Sequence, residues 1–432
     1  MFSHVVRQFL SQFVGAPDES QSAHMLRLGA ALLAYVLAAR LIMRFMRGSW
    51  REVVFAGLNL AALFRFIVTR GPNGHVAFNI YLDIFFFYLA VVVFQYAMLR
   101  AFSEKKGWLP WLAFFTPIAA LIVARYGPLA GMSRIPGLAW TATGFGLVGI
   151  SYLAFRTSRL VLEVRNGLVK VPHFCEYLNF AFFLPTMPVG PINTYANYRR
   201  GFEDKPRDVP VGRALLRILV GLVKYQFIGG FCNQLTYSEL LLDDNVHHWI
   251  DLPVAMVFYY LFLYCNFSGF CDMAIGAATL IGIPVPENFN DPFAARNMKE
   301  FWNRWHITLS QWMRDIVFAP LSKTLVRWFR PEQANHAVAL AIAIVFFLIG
   351  VWHGVGWNYV LFGLAQSLGV VTVHYYTIFL KKRLGREGFK AYNENRWIHA
   401  AAVVVTFCYY AATLFLFANS LADMKQIISI LR

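Results

Sequence analysis

Apolar residues recur along the chain in stretches of about 20, the length that carries an α-helix across ~30 Å of hydrocarbon. Ten such stretches are read, at roughly 25–46, 52–69, 76–99, 108–125, 138–163, 211–231, 252–282, 334–352, 356–379 and 397–421. A further apolar segment, 174–198, is interrupted by Pro185, Pro188, Gly190 and Pro191. Non-helical backbone at membrane depth is tolerated only inside protein or along a wet cavity. Segment 174–198 is therefore expected to be re-entrant, or a helix running into a buried loop. The pattern predicts an all-α polytopic membrane protein with about ten transmembrane helices plus re-entrant and interfacial helices.

Composition agrees. Of 432 residues 58% are hydrophobic and 14% charged, against about 25% charged in a soluble domain, and the mean hydropathy is +0.50. The net charge of +16 would suggest nucleic acid in a soluble chain. Here the bases sit in short segments between apolar runs, which points to membrane orientation. Segments 199–213, 286–330 and 380–396 carry five, seven and six Lys/Arg, whereas 232–251 carries none and four acids. The three basic segments are expected to face the cytoplasm and 232–251 the outside. Arg44, Arg47, Arg51, Lys105 and Lys106 then fall inside, and both termini outside. Segment 125–137 fits least well, with two arginines on the outer side. The N-terminus has no long apolar core of a signal peptide and reads as a short interfacial helix. The five cysteines show no metal-binding spacing and are expected to be free thiols.

Polar residues cluster in three places. The first is "FWNRWHITLSQW", 301–312. A helix from Met298, laid out at 100° per residue, places Trp302, Trp305, Leu309, Trp312, Met313 and Ile316 on one face. Arg304, Thr308, Gln311 and Asp315 fall opposite. His306 sits at the apolar edge beside Asn303 and Ser310. This is an amphipathic interfacial helix, and a plain Trp anchor would look the same. The second is "LIGVWHGVGW", where His353 follows Trp352 between two apolar runs and glycines permit a break. An ionisable residue at such a break marks a function by default; a solvated outer hairpin is the alternative. The third is "YCNFSGFCDMAIG", which puts Asn266, Ser268 and Asp272 near one face of an apolar span. A cavity lining and a buried packing contact both fit it.

Two histidines near a membrane cavity suit general-base chemistry, with a neutral imidazole taking a proton from a hydroxyl that attacks an acyl carbonyl. An acyl group arriving as a thioester needs no Ser or Cys nucleophile. No GxSxG, HExxH or P-loop is present, so no bound metal, nucleotide or other cofactor is expected.

"FSGFCDMAIGAATLIGIPVPENFNDPF", "MKEFWNRWHITLSQWMRDIVFAPL" and "LIGVWHGVGWNYVLFGL", preceded by "GISYLAFRTSRLVLEVRNG" and "FFLPTMPVGPINTYANYRR", together resemble the membrane-bound O-acyltransferase family. The similar branch is the bacterial one of alginate O-acetyltransferases and teichoic-acid D-alanyl transfer proteins. The likeness spans about 149–379 in the family's order. It implies N-terminal transmembrane helices at 1–137, a catalytic core at 138–379, and a cytoplasmic loop and last helix at 380–432. It also implies a central tunnel with His353 as the catalytic histidine and His306 as the second one. Trp302, Trp305 and Trp312 would wedge His306 into the chamber floor, Asn303 and Ser310 would orient it, and Asn266, Asp272 and Trp352 would line the tunnel.

The expected reaction moves an acyl group, acetyl in the first place, from a cytoplasmic acyl-CoA or acyl-phosphopantetheine carrier protein. The acceptor would be a hydroxyl of an extracytoplasmic polysaccharide or glycolipid, reached directly or through an accessory transferase, across the bacterial plasma membrane. D-alanyl transfer from a carrier is the alternative. "GFCDMAIG" and "FAPL" look more like the acetylating proteins, whereas "NMKEFWNRWHITLS" and "GISYLAFRTSRLVLEV" look more like the D-alanyl ones. A small-molecule transporter, or a non-catalytic channel, is the rival from another class. Paired repeats typical of transporters are not seen.

Overall fold

The computed structural model describes residues 19–67, 76–126, 149–203, 209–242 and 247–431. The expected N-terminal interfacial helix and the start of stretch 138–163 lie outside these residues. The chain divides into two compact units. One holds the described residues up to Gly221 with Phe270–Pro286, and the other Leu222–Gly269 with Glu287 onward.

The first unit opens with α1 (Glu19–Phe45), α2 (Gly48–Ile67), α3 (Val76–Phe102) and α4 (Leu109–Tyr126). On α1, Tyr35, Val36 and Ala39 are buried while Leu33, Leu37 and Leu41 are exposed. A contiguous exposed apolar face of this kind suits lipid, not water. Tyr35 Oη donates to Asn59 Oδ1 at 2.7 Å, and Asn59 Nδ2 to Asn179 Oδ1 at 2.9 Å. Such bonds tie apolar helices together where hydrophobicity alone cannot. In α5 (Ile150–Arg165) Arg156 is buried. Its guanidinium donates to the carbonyls of Phe180 and Thr186 and to Thr186 Oγ1. These bonds staple α6 (Phe174–Ala181) and the 3₁₀ turn Leu184–Thr186, after which α7 (Tyr195–Arg199) closes the segment. Segment 174–198 is thus a short helix running into a buried loop, as its prolines indicate.

The last helix of this unit, α8 (Val211–Leu222), pairs with the helix Asp251–Ile281 over its Phe270–Ile281 part. Arg217 Nε and Nη2 both reach Asp272 Oδ1 at 3.0 Å. Gly276 lets the helices touch, since a Cβ there would lie 2.6 Å from Ile218 Cγ1. Asp272, expected to line a tunnel, here makes an ion pair between two apolar helices. A charge left alone in such a span costs about 2.5–3.5 kcal/mol. Arg217→Met and Asp272→Leu are each expected to lower the melting temperature in detergent, and the double variant to recover most of the loss. Single variants as stable as the parent would show that the pair contributes nothing.

The second unit follows a π turn, Val223–Ile228, with α9 (Gly229–Asn233), α10 (Tyr237–Leu240) and α11 (Asp251–Ile281), the last shared with the first unit. Then come α12 (Met298–Arg304), α13 (Ile307–Met313), a second π turn Arg314–Phe318, α14 (Ala319–Trp328), α15 (Ala334–His353), α16 (Trp357–Glu394), α17 (Arg396–Ala418) and α18 (Leu421–Ile430). Helices α15 and α16 meet backbone to backbone: a Cβ on Gly363 would lie 2.5 Å from the Phe346 carbonyl oxygen, and one on Gly350 3.0 Å from Gly363 Cα. Ile427 of α18 packs with Tyr237, Leu240, Leu241 and Ala255, so α18 lies against α10 and the start of α11. Among the described residues, extended pairing is limited to a bridge between His247 and Leu431.

Sequence places the end of the penultimate span at 379, yet α16 runs to Glu394. It reverses at Gly385, whose φ of 66° favours glycine. The basic segment 380–396 is therefore helical and folds back, bringing Tyr392 Oη to 3.1 Å from Tyr376 Oη and Lys381 over the Phe389 ring.

Among the described residues, five helices are long and apolar enough to cross a membrane: Phe85–Phe102, Val211–Leu240, Asp251–Ile281, Pro331–His353 and Arg396–Ala418. The chain is a membrane protein. The described parts of the other expected stretches form helices, but several hold charges that break the apolar run, such as Arg156, Arg159 and Glu163 in α5.

Candidate active site

Helix α12 begins at a cap, with Asn297 Oδ1 accepting the Glu300 N–H at 2.9 Å. It does not run on to Met313 as the helical layout supposes. Trp305 is extended and His306 is left-handed, at φ 43° and ψ 52°. That conformation costs a non-glycine residue about 1–3 kcal/mol, so its surroundings must hold it. They do so through the "ENFN" segment. Asn290 N–H donates to the Arg304 carbonyl and Ile307 N–H to the Asn288 carbonyl, both at 2.9 Å. Asn288 Oδ1 also accepts from Thr308 N at 3.2 Å and Thr308 Oγ1 at 2.8 Å.

The break re-aims every side chain after Arg304. Thr308, assigned to the outer polar face, is buried, and Asn303, assigned to the edge beside His306, is exposed. Ser310 Oγ donates to the Trp305 carbonyl at 3.4 Å. Neither Asn303 nor Ser310 orients the imidazole. Asn288 does, at 3.2 Å from His306 Nδ1.

This contact assigns the tautomer. The Asn288 atom that meets His306 also accepts a backbone N–H, so it is the amide oxygen. Nδ1 must then carry the proton and donate, which leaves the Nε2 lone pair available as an acceptor. His306 lies between the spans Asp251–Ile281 and Pro331–His353. Burial, followed by the charge of His353, pulls its pKa down to about 3 from 6.5. It is neutral at every physiological pH.

Below pH 6.5 the unfolded chain protonates this residue and the folded one does not, so stability is complete above about pH 6.5 and falls as pH drops toward 3. Melting of the parent and of His306→Asn, compared from pH 8 to pH 5, is expected to show the parent losing ground to the variant at the acid end. A constant difference would contradict a neutral buried His306.

The rings around His306 are Phe267, edge-on at 4.7 Å between centroids, and Trp352 at 6.4 Å. Trp352 also lies 4.5 Å from the His353 ring, so this indole packs near both imidazoles. His353 ends α15 and meets Phe417 at 4.9 Å and Phe362 at 6.0 Å. It is half-buried beside the exposed turn of Val355, Gly356 and Trp357. The expected tryptophan wedge is arranged differently. Trp305 stacks on Phe301 at 5.6 Å and 19°, with Phe289 and Tyr410 around it. Trp302 packs on Phe346 and donates to Gln366 Oε1 at 3.2 Å, and Gln366 Nε2 reaches Thr413 Oγ1 at 2.6 Å. Trp312 is buried, and Asn266 is half-buried next to Phe267 on α11. Trp302 and Trp305 therefore anchor the helices that carry His306 and do not touch its ring.

Asn288, Phe267, Gln366 and Phe417 escaped the sequence reading. Only Asn288 left a signal, a polar residue between Pro286 and Pro292 where the chain must turn. The others meet their partners across dozens of residues.

Over 431 residues, 96% of this chain and 98% of its relative, the sequence is 28% identical to the teichoic acid D-alanyltransferase of Streptococcus thermophilus. It is 31% identical over 281 residues to the protein of the same name from Bacillus subtilis, covering 63% of this chain and 68% of that one. The peptidoglycan O-acetyltransferase of Helicobacter pylori is 30% identical over 228 residues, covering 50% of this chain and 40% of that one. The model of the membrane-bound O-acyltransferase family matches residues 138–412, a span that contains both histidines, Asn288 and the hairpin behind His353. The chain belongs to the membrane-bound O-acyltransferase family and is an acyltransferase.

Proposed function

We propose that the chain moves a D-alanyl group from the thioester of a phosphopantetheine carrier protein to a hydroxyl of an extracytoplasmic envelope polymer. His353 is the general base. It takes the hydroxyl proton as the oxygen attacks the thioester carbonyl; the C–O bond forms, the C–S bond breaks, and the proton passes from His353 to the departing thiolate. His306, neutral with Nε2 as acceptor, takes a hydrogen bond from a second hydroxyl of the polymer and so positions the attacking one. The observation that carries this reading is the pair of imidazoles that share Trp352 as a neighbour, one fixed in tautomer by Asn288.

D-alanyl is preferred over acetyl because the likeness to a D-alanyltransferase runs the whole length of both chains, whereas the O-acetyltransferase is matched over half of this one. The seven bases of segment 286–330 suit an acidic carrier. The chain is placed in the bacterial plasma membrane with that segment inside and both termini outside. A transporter reading gains nothing from these comparisons.

The donor is tested with the purified chain in vesicles, given a D-alanyl-loaded carrier, an acetyl-loaded carrier or acetyl-CoA, with thiol release followed. D-alanyl turnover at least tenfold above the other two is expected. Equal or faster acetyl turnover would overturn the donor assignment and leave the acyl-transfer chemistry standing.

A further inference from the structure

His353 is the last residue of α15, and the backbone leaves the helix at Gly354, extended at φ −176° and ψ 176°. Its ring is therefore set in place by what packs on it. Trp352 belongs to the same helix end and moves with it. Phe362 and Phe417 come from α16 and α17. Phe417 is the nearer, at 4.9 Å between centroids and 86° between planes, against 6.0 Å for Phe362.

Phe417 is itself fixed. It meets Phe362, which is buried, at 5.1 Å and Tyr359 at 5.6 Å. Tyr359 has no room to give way. Its carbonyl oxygen lies 2.4 Å from where a Cβ on Gly350 would be, and its ring fills the space of a Cβ on Gly354, with Cε2 at 2.0 Å. Close-packed contacts of this kind transmit position. Beyond Phe417, α17 ends at Asn419, which is buried and donates to the Phe415 carbonyl at 2.9 Å, and Phe415 packs on Tyr237 at 5.5 Å.

The same face of α17 reaches the segment that carries His306. Tyr410, Thr413, Leu414 and Phe417 follow the i, i+3, i+4, i+7 spacing of one helix face. Tyr410 meets Phe301 at 4.0 Å and Trp305, the residue before His306, at 5.5 Å. Thr413 Oγ1 accepts from Gln366, whose Oε1 accepts the Trp302 indole N–H. Seven residues of helix, about 10 Å at 1.5 Å per residue, separate the contact beside His306 from the contact on His353.

We propose that Phe417 is a positioning residue that holds the His353 ring in its working orientation, and that α17 sets the spacing of the two imidazoles although it carries neither. The inference rests on His353 being the base. A phenyl ring has no proton to take or give, so its effect runs through His353.

The test is a double-mutant cycle on the full-length chain in vesicles, with single-turnover transfer followed over a range of loaded carrier. Phe417→Ala is expected to lower the maximal rate about tenfold or more, since small misplacements of a reacting group are that costly. The carrier concentration giving half the maximal rate is expected to stay within about twofold of the parent, because uniform binding is untouched. In a His353→Ala background, Phe417→Ala is expected to change the residual rate by less than about twofold, as residues acting as a unit are non-additive. Phe417→Leu, expected to slow transfer at least threefold, takes the place of Phe417→Ala if melting shows that variant unfolded. A folded variant slowed less than threefold while His353→Ala is slowed strongly would overturn the positioning role and leave the base standing. Equal losses in both backgrounds would show that Phe417 does not act through His353 and would overturn it as well. A His353→Ala rate within threefold of the parent would instead remove the base on which the inference rests.

Discussion

His353→Ala lowers acyl transfer by about 10²–10⁴-fold, the range a positioned general base contributes, while the chain stays in the membrane and melts near the parent. The structure leads to this separation of effects. His353 closes α15 at a half-buried position whose neighbours are rings: Trp352, Phe362 and Phe417. Truncating it removes a base and some edge contacts, but no helix–helix backbone packing. That packing is made a turn earlier, where Gly350 meets Gly363. Single-turnover assays in vesicles at saturating carrier, with melting in parallel, check the result. A His353→Ala rate within threefold of the parent would remove the residue from the chemistry.

The second large effect belongs to Asn288. Asn288→Leu strands two fixed buried donors, His306 Nδ1–H and the Thr308 N–H, at roughly 1–3 kcal/mol each. It also releases the clasp on a strained backbone. A stability loss of about 2–5 kcal/mol is expected, with transfer reduced at least tenfold in whatever remains folded. Asn288→Asp separates the two contributions. It keeps an acceptor oxygen, so folding should survive. It also places a carboxylate on the imidazole, which favours the protonated ring and takes Nε2 out of use as an acceptor. Its transfer is therefore expected to recover as pH rises, where the parent shows no step from His306. Parent-like rates in Asn288→Asp at pH 6 would sink the role given to the His306 lone pair.

How far the sequence revealed this arrangement depends on the range of the interaction concerned. Helix positions were legible, because each follows from a local apolar run bounded by charge or glycine. The buried loop at 174–198 was legible from its prolines. His353 stood out because an imidazole flanked by Trp352 and Gly354 between two apolar stretches has few bland explanations. The surroundings of His306 were misread for a definite reason. A helical layout assumes continuous α geometry, and the chain leaves it at Trp305 and His306. Nothing local in "FWNRWHITLSQW" marks that break, since it is imposed by backbone and side-chain bonds from Asn288 and Asn290. Asp272 shows the same limit. Its polarity on an apolar helix was visible, but its partner Arg217 lies 55 residues away. The turn at Gly385 was hidden inside a basic run that looks like an ordinary loop.

The central claim is that two imidazoles around Trp352 esterify an envelope polymer. The most direct test counts base-labile esters on the surface polymers of cells carrying the parent, a deletion, or His353→Ala at equal membrane level, with the released acid identified by mass spectrometry. The account predicts that the deletion and His353→Ala lose the same D-alanyl ester. Retention of that ester in His353→Ala when the deletion loses it would contradict the site, and an unchanged ester profile in all three strains would contradict the function.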